Sequence, residues 1–312
     1  MGVYQIGEVI KRTREGLGIT QEQLCDGICS VETLSRIENG KRSPSRTNFQ
    51  ALMERMGKPG EKFIPFVRSS DMEVIVKAMD INIMLARHRY EETEVLLEEL
   101  REKINIKDNV NRQFVEKTQA LIDFNLGRIT TKEKRERLVQ ALLYTVPSYK
   151  DKILPMGIYS RHELMIFCNI ACSYSDEGDL DTAIEMLRQI QHYFDTVHVT
   201  GDEKAITETL MMLNLGRCLG IRGDTREAIE IEERAAKMQL RWGNSSNLDS
   251  LLYNIAFENE VLEKEEAFCQ ELLVKAYFVA ELNGNRYMMN HIKKHIEKMY
   301  GDEIKFIPQY HH

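Results

Sequence analysis

Two stretches of the chain repeat one another closely: CNIACSYSDEGDLDTAIEML from residue 168 and LNLGRCLGIRGDTREAIEIE from residue 213. Each reads Asn-aliphatic-small, then Gly-Asp seven residues beyond the small residue, then Ala-Ile. A third copy, YNIAFENEVLEKEEAFCQEL from residue 253, keeps the first half and replaces the glycine turn. Weaker relatives are HRYEETEVLLEEL at 88 and GRITTKEKRERLVQALL at 127. A unit repeated in this way cannot bury its apolar face alone and must stack on its neighbours. From Asp71 onward the apolar positions recur at helical spacing, with no strand-like alternation. The expectation is an all-α chain whose larger part is a stack of helix pairs.

The first sixty residues follow a different plan. Ile6, Val9 and Ile10 share one face of a helix over 6–17, with Leu17 one heptad beyond Ile10, and Gly18 stops it. Thr20 opens TQEQL, a capping box that starts a second helix at Gln21 and runs to about Gly27. Ser30 caps a third helix, 31–39, ended by Gly40, and Pro44 and Ser45 open a fourth over 46–56, with Phe49, Leu52, Met53 and Met56 inward. Helices this short are marginal alone. Their order and turn lengths match a helix-turn-helix unit, in which the third helix lies in the major groove. Leu34 and Ile37 anchor that helix to the core, which leaves Val31, Glu32, Ser35 and Arg36 toward base edges. Gln21, at the start of the second helix, can hold a phosphate, and Lys41, Arg42 and Arg46 can neutralise others.

The segment TQEQLCDGICSVETLSRIENGKRSPS resembles the Xre/Cro-type helix-turn-helix family. That resemblance implies a structural pair between Arg14 and Glu38, and base contacts from Val31, Glu32 and Arg36. The turn DGICS is one residue shorter than the commonest family pattern, which leaves the register of individual base contacts open.

Beyond GKPGEKFIPF, a Gly- and Pro-bearing linker in which Phe63, Ile64 and Phe66 are expected to dock, the repeats resemble tetratricopeptide-type hairpins. In that pattern small residues let paired helices approach, here Ala171 with Ala183, Gly216 with Ala228, and Ala256. The asparagines stand 45 and then 40 residues apart, longer than the usual 34. On the same pattern Asn169, Asn214 and Asn254 lie on the inward side of the first helix of each pair, where a concave face can bind a ligand. An Asn amide donates and accepts as a peptide bond does, so such a row could hold the backbone of an extended peptide. Arg217 could pair with a peptide carboxylate. Met211, Met212, Tyr253 and Phe257 are candidates for side-chain pockets or for core. The bland alternative is that the asparagines brace neighbouring helices.

The domain reading is therefore a DNA-binding head over 1–57, a linker over 58–70 and a helical-repeat body over 71–312. An Xre-type head joined to a tetratricopeptide-like body resembles the RRNPP family of cytoplasmic peptide-pheromone receptors, with its Rgg- and PlcR-like members. The resemblance implies a homodimeric transcription regulator that binds an operator in double-stranded DNA and a short signalling peptide. The alternative is a regulator whose body docks a protein partner.

Charge agrees with this division. Residues 1–68 carry 11 Lys and Arg against 8 Asp and Glu, whereas the remainder carries 31 against 41. A mildly basic head on an acidic body suits nucleic acid at one end only. No run approaches the ~20 apolar residues of a membrane span, and no cofactor motif is present. Cys25, Cys29, Cys168, Cys172, Cys218 and Cys269 form two i,i+4 pairs, but no His completes a metal set near either, so they read as reduced, small core residues. His162 near Cys168 and Cys218 near Asp224 lack any catalytic signature, so the chain does not read as an enzyme.

Overall fold

The computed structural model describes residues 4–58, 69–150, 152–196 and 202–301. Among these residues fifteen α-helices account for the regular structure, and the only β pairing is an isolated bridge between Lys150 and Ile153. The chain divides into two compact units: Met1–Asp179 with His192–Lys204, and Leu180–Gln191 with Ala205–His312.

The first unit begins with the head: α1 (Tyr4–Gly16), α2 (Gln21–Cys25), α3 (Val31–Glu38) and α4 (Arg46–Arg55). Their starts are where short polar side chains can accept the orphan N–H groups of a helix. The Thr20 hydroxyl accepts from Gln23 N while the Gln23 side chain accepts from Thr20 N, the reciprocal box read from the sequence. Ser30 and Ser45 cap α3 and α4 in the same way. Ile10, Leu24, Leu34, Ile37, Leu52 and Met53 are fully enclosed, with Phe49 packed against them. Leu17 is not part of that core. It lies beyond the end of α1 and is 40% exposed, because Gly18 turns the chain before the next helical face can form.

The head is built onto the helices that follow: α5 (Ser69–Ala86), α6 (Tyr90–Arg101), α7 (Asn109–Asn125), α8 (Thr131–Leu143) and α9 (Arg161–Asp176). Val110 of α7 and Ile158 pack against the head's own core. Arg55, 3% exposed at the end of α4, makes five hydrogen bonds. It donates to Leu24 O at 3.1 Å and Asp26 O at 2.5 Å in the head. It donates to Thr145 O at 3.0 Å and to the Glu163 carboxylate at 2.7 and 3.3 Å in the body. Gly27 sits against Thr145, where a Cβ would fall 1.8 Å from the carbonyl oxygen, so only glycine fits. Asn109 Nδ2 closes the contact on Gly27 O at 3.1 Å. Most of the linker, with Phe63, Ile64 and Phe66, lies outside the described residues.

The second copy of the repeat forms α11 (Asp202–Arg222) and α12 (Thr225–Arg241), and the third forms α13 (Leu248–Val261) and α14 (Glu266–Leu282). The first runs from α9 into α10 (Leu180–Thr196), and α15 (Arg286–Tyr300) follows the third. Ala171, Ala183, Ala228 and Ala256 are fully buried, as hairpin packing requires. Nine residues past each repeat Asn the backbone is left-handed: Gly178 at φ +88°, Gly223 at φ +99° and, in the third copy, Glu263 at φ +53°. The third hairpin thus keeps the turn without the residue suited to it. Glu263→Gly should raise stability by about 0.5–1 kcal/mol, because relief of left-handed strain outweighs the added freedom of the unfolded chain. Denaturant unfolding of the two chains side by side checks this.

Candidate nucleic-acid and ligand sites

In the head, Leu34, Ile37 and Glu38 of α3 are buried, while Glu32 and Arg36 are exposed and Val31 is 38% exposed. A helix of eight residues therefore presents Val31, Glu32 and Arg36 outward from a fixed base. Ser35 and Arg46 are half-buried, and Lys41 and Arg42 are exposed. The N–H groups of Lys41 and Arg42 return to Arg36 O at 2.8 and 3.2 Å, so this basic turn is tied to the C-terminal end of the same helix.

The pair implied by the helix-turn-helix resemblance is present: Arg14 Nε and Nη2 donate to the two oxygens of Glu38 at 2.7 and 2.9 Å. Both side chains are buried, and such a bidentate pair holds α1 against α3. Glu38 has a third donor, Gln21 Nε2 at 2.7 Å. The amide expected to meet a phosphate is thus engaged inside the head, bracing α2 against α3.

The repeat asparagines are all half-buried, Asn169 in the first unit and Asn214 and Asn254 in the second. Asn169 Nδ2 donates to Met165 O at 2.8 Å and Asn214 Nδ2 to Leu210 O at 3.0 Å, each one turn back along its own helix. This bond fixes the plane of each amide, and in Asn169 it leaves the side-chain oxygen and a second N–H of the group. Asn254 differs: its Nδ2 donates to Glu232 Oε1 on α12 at 2.9 Å, an inter-helix brace. Arg217 is exposed, one turn from Asn214. Of the proposed pocket residues, Met211 and Met212 are core, at 1% and 0% exposure. Tyr253 is half-buried and Phe257 is 43% exposed, the two rings stacked at 6.5 Å.

Two charged features escaped the sequence reading. Lys117 on α7 is 5% exposed, and among the described residues no carboxylate lies within ion-pairing reach of it. Its ammonium lies 5.0 Å from the Phe114 ring centre. Burial, then the charge of Arg161, push its pKa down to about 8. His162 packs edge-on against Phe114, and burial with the charges of Lys117 and Arg161 pushes its pKa down to about 3. At neutral pH this corner holds a lysine that is mostly, not fully, charged and a neutral imidazole. The second feature is Glu232, fully buried on α12, with Oε2 unpartnered. Gly216 of α11 makes room for it, since a Cβ there would fall 2.5 Å from the carboxyl. Burial, opposed by Asn254 and reinforced by Glu258, pushes the Glu232 pKa up to about 8.

The cysteines are buried or half-buried and all reduced, and among the described residues no group of His, Cys, Asp and Glu has the arrangement of a metal site. No described helix is long and apolar enough to cross a membrane.

The capped third helix, the basic turn and the helical repeats behind them define a helix-turn-helix protein with a helical-repeat body. A helix-turn-helix family signature matches residues 10–63, and the signature of the RNPP family C-terminal domain matches residues 78–300. The chain belongs to the RNPP family. No curated protein matches the chain. Among solved structures it is similar to Bacillus thuringiensis PlcR in complex with the peptide PapR7 and DNA, with a TM-score of 0.64 and 20% identity, over 93% of this chain and 99% of that one. It is also similar to PlcR in its apo form, with a TM-score of 0.58 and 19% identity over 94% and 99%. ComR from S. thermophilus, in complex with DNA and its signalling peptide ComS, follows at 0.51 and 17% over 93% and 98%.

Glu232 sets a pH dependence. With a folded pKa near 8 against an ordinary 4.5, the folded state binds an extra proton between those values, so its stabilising effect is complete below about 4.5 and is lost as pH rises through 8. Glu232→Gln keeps the acceptor for Asn254 and removes the proton uptake. Its denaturant midpoint should fall less between pH 5 and 8, the difference approaching about 1.4 kcal/mol per pH unit at most.

Proposed function

We propose that this protein is a transcription regulator of the RNPP family: the head reads an operator in double-stranded DNA, and a short signalling peptide bound by the repeats controls it. The observation that carries the reading is the family's C-terminal domain over 78–300 behind an exposed, capped reading helix in one chain. PlcR and ComR, similar in fold, have been crystallised with both DNA and a peptide. On this reading Arg36, Glu32 and Val31 face base edges, and Lys41, Arg42 and Arg46 face phosphates. Gln21 supports the reading helix through Glu38, and Ser35 lies at the edge of the reading face.

For the peptide, Asn169 and Asn214 present amides already oriented by their own helices, so little side-chain freedom is lost on binding. Asn254 contributes chiefly by bracing. Arg217 and Lys117 are cations suited to peptide carboxylates, and Lys117 is the stronger because it is already desolvated. The protein acts in the cytoplasm as a homodimer, whose two heads meet half-sites about one helical turn apart or a multiple of that. Docking of a protein partner to the body is the second reading, favoured by the exposed Phe257.

The test takes an operator selected from random duplexes and synthetic peptides encoded beside the gene. Peptide should change operator affinity about 5–150-fold. Asn214→Ala should abolish that change and leave unliganded DNA binding intact, and Arg36→Ala should weaken the operator by about 1–3 kcal/mol and relax one position. Response that survives loss of both Asn214 and Asn169 would remove the peptide site, and unchanged binding by Arg36→Ala would remove that residue from the reading face.

A further inference from the structure

The turn between α6 and α7 brings a lysine of the body to the basic end of the head. The Ser45 hydroxyl, which caps α4, stands 3.5 Å from Asp108 Oδ2, and Asp108 in turn caps α7. One residue on, Asn109 Nδ2 donates to Gly27 O. On the other side of Asp108 is Lys107, exposed and, among the described residues, with no carboxylate within ion-pairing reach. Lys103, earlier in the same turn, is by contrast paired with Glu73. The turn is tied down. Lys107 N donates to Asn105 Oδ1 at 3.1 Å and Asp108 N to Asn105 O at 3.0 Å. The same carbonyl accepts from Asn111 Nδ2 at 3.1 Å. Asp108 Oδ1 accepts from Val110 N at 3.0 Å and Asn111 N at 3.3 Å, which engages that carboxylate in the first turn of α7. Lys107 is therefore the uncompensated charge of a fixed turn that touches the start of α4.

We propose that Lys107 is a phosphate contact of the operator, so that the DNA interface extends past the head onto the α6–α7 turn. The inference rests on the operator reading, which sets Arg46 against a phosphate. Ser45, the residue before Arg46, is the one that meets Asp108. Lysine is a point charge on a flexible stem, which suits a phosphate chain that it need only approach. Such a contact adds affinity and fixes orientation, and it reads no base. Each phosphate neutralised also releases counterions, which steepens the dependence of affinity on salt by about 0.9 in a double-logarithmic plot.

Full-length protein without peptide is titrated with the selected operator and with a scrambled duplex between about 50 and 200 mM salt. Lys107→Ala should lower the steepness by about 0.9, so that its deficit against wild type shrinks roughly three- to fourfold over that range. The deficit at each salt concentration should be equal on the two duplexes. Lys132→Ala removes the same charge from an exposed position on α8, beyond the far end of α7, and should keep the wild-type steepness. Unaltered steepness in Lys107→Ala, an equal fall in Lys132→Ala, or a deficit confined to the operator overturns the contact and leaves the operator reading standing. A wild-type chain that binds neither duplex overturns the operator reading, and this inference with it.

Discussion

A guanidinium taken out of water must find an acceptor for every N–H, or the fold loses several kcal/mol. Arg55 meets that demand with two carbonyls of the head, one carbonyl of the body and a carboxylate that also caps α9. No smaller set of neighbours would satisfy it, so head and body helices must both be in place. Removing the carboxylate alone would leave a buried cation uncompensated, at a cost of about 3–5 kcal/mol. The outward presentation of α3 follows, because the helix is fixed through Glu38 to α1 and α2, and these are fixed through Arg55 to α7–α9.

Local features of this structure were legible in the sequence because their causes are local. The box at Thr20 and Gln23, the caps at Ser30 and Ser45 and the buried side of α3 all arise from residues within one or two turns of each other. Repetition placed Asn169, Asn214 and Asn254 on equivalent helices, although it could not show that Asn254 bonds to Glu232 on the next helix. Leu17 followed the right period, but the helix ends first. Arg55 and Glu163 lie 108 positions apart, and nothing in LMER marks that arginine as the one that closes an interface. Lys117 reads as an ordinary solvated lysine until α7 and α9 enclose it. The one available signal for Glu163 was the Ser160-x-x-Glu163 spacing of a capping box, which predicts a helix start and not a partner in the head.

Charge is arranged differently in the two units. The first holds a buried cation without a carboxylate, at Lys117, and the second a buried carboxyl without a cation, at Glu232. Both states are unfavourable in the isolated fold. The second is relieved internally, since a proton is taken up at neutral pH. The first is relieved only in small part, because a lysine with pKa near 8 remains mostly charged. A retained, desolvated charge is a means of attracting an anionic group from outside, and such perturbed residues cluster at functional sites.

The claim on which the account turns is that the head is held in one orientation by the body. Pulsed dipolar spectroscopy between genetically encoded spin labels at the exposed positions Lys41 and Glu116 measures this directly, in full-length protein diluted with unlabelled chain. A single narrow distance distribution is the predicted result. A broad distribution, with the head sampling many positions relative to α7, would contradict it.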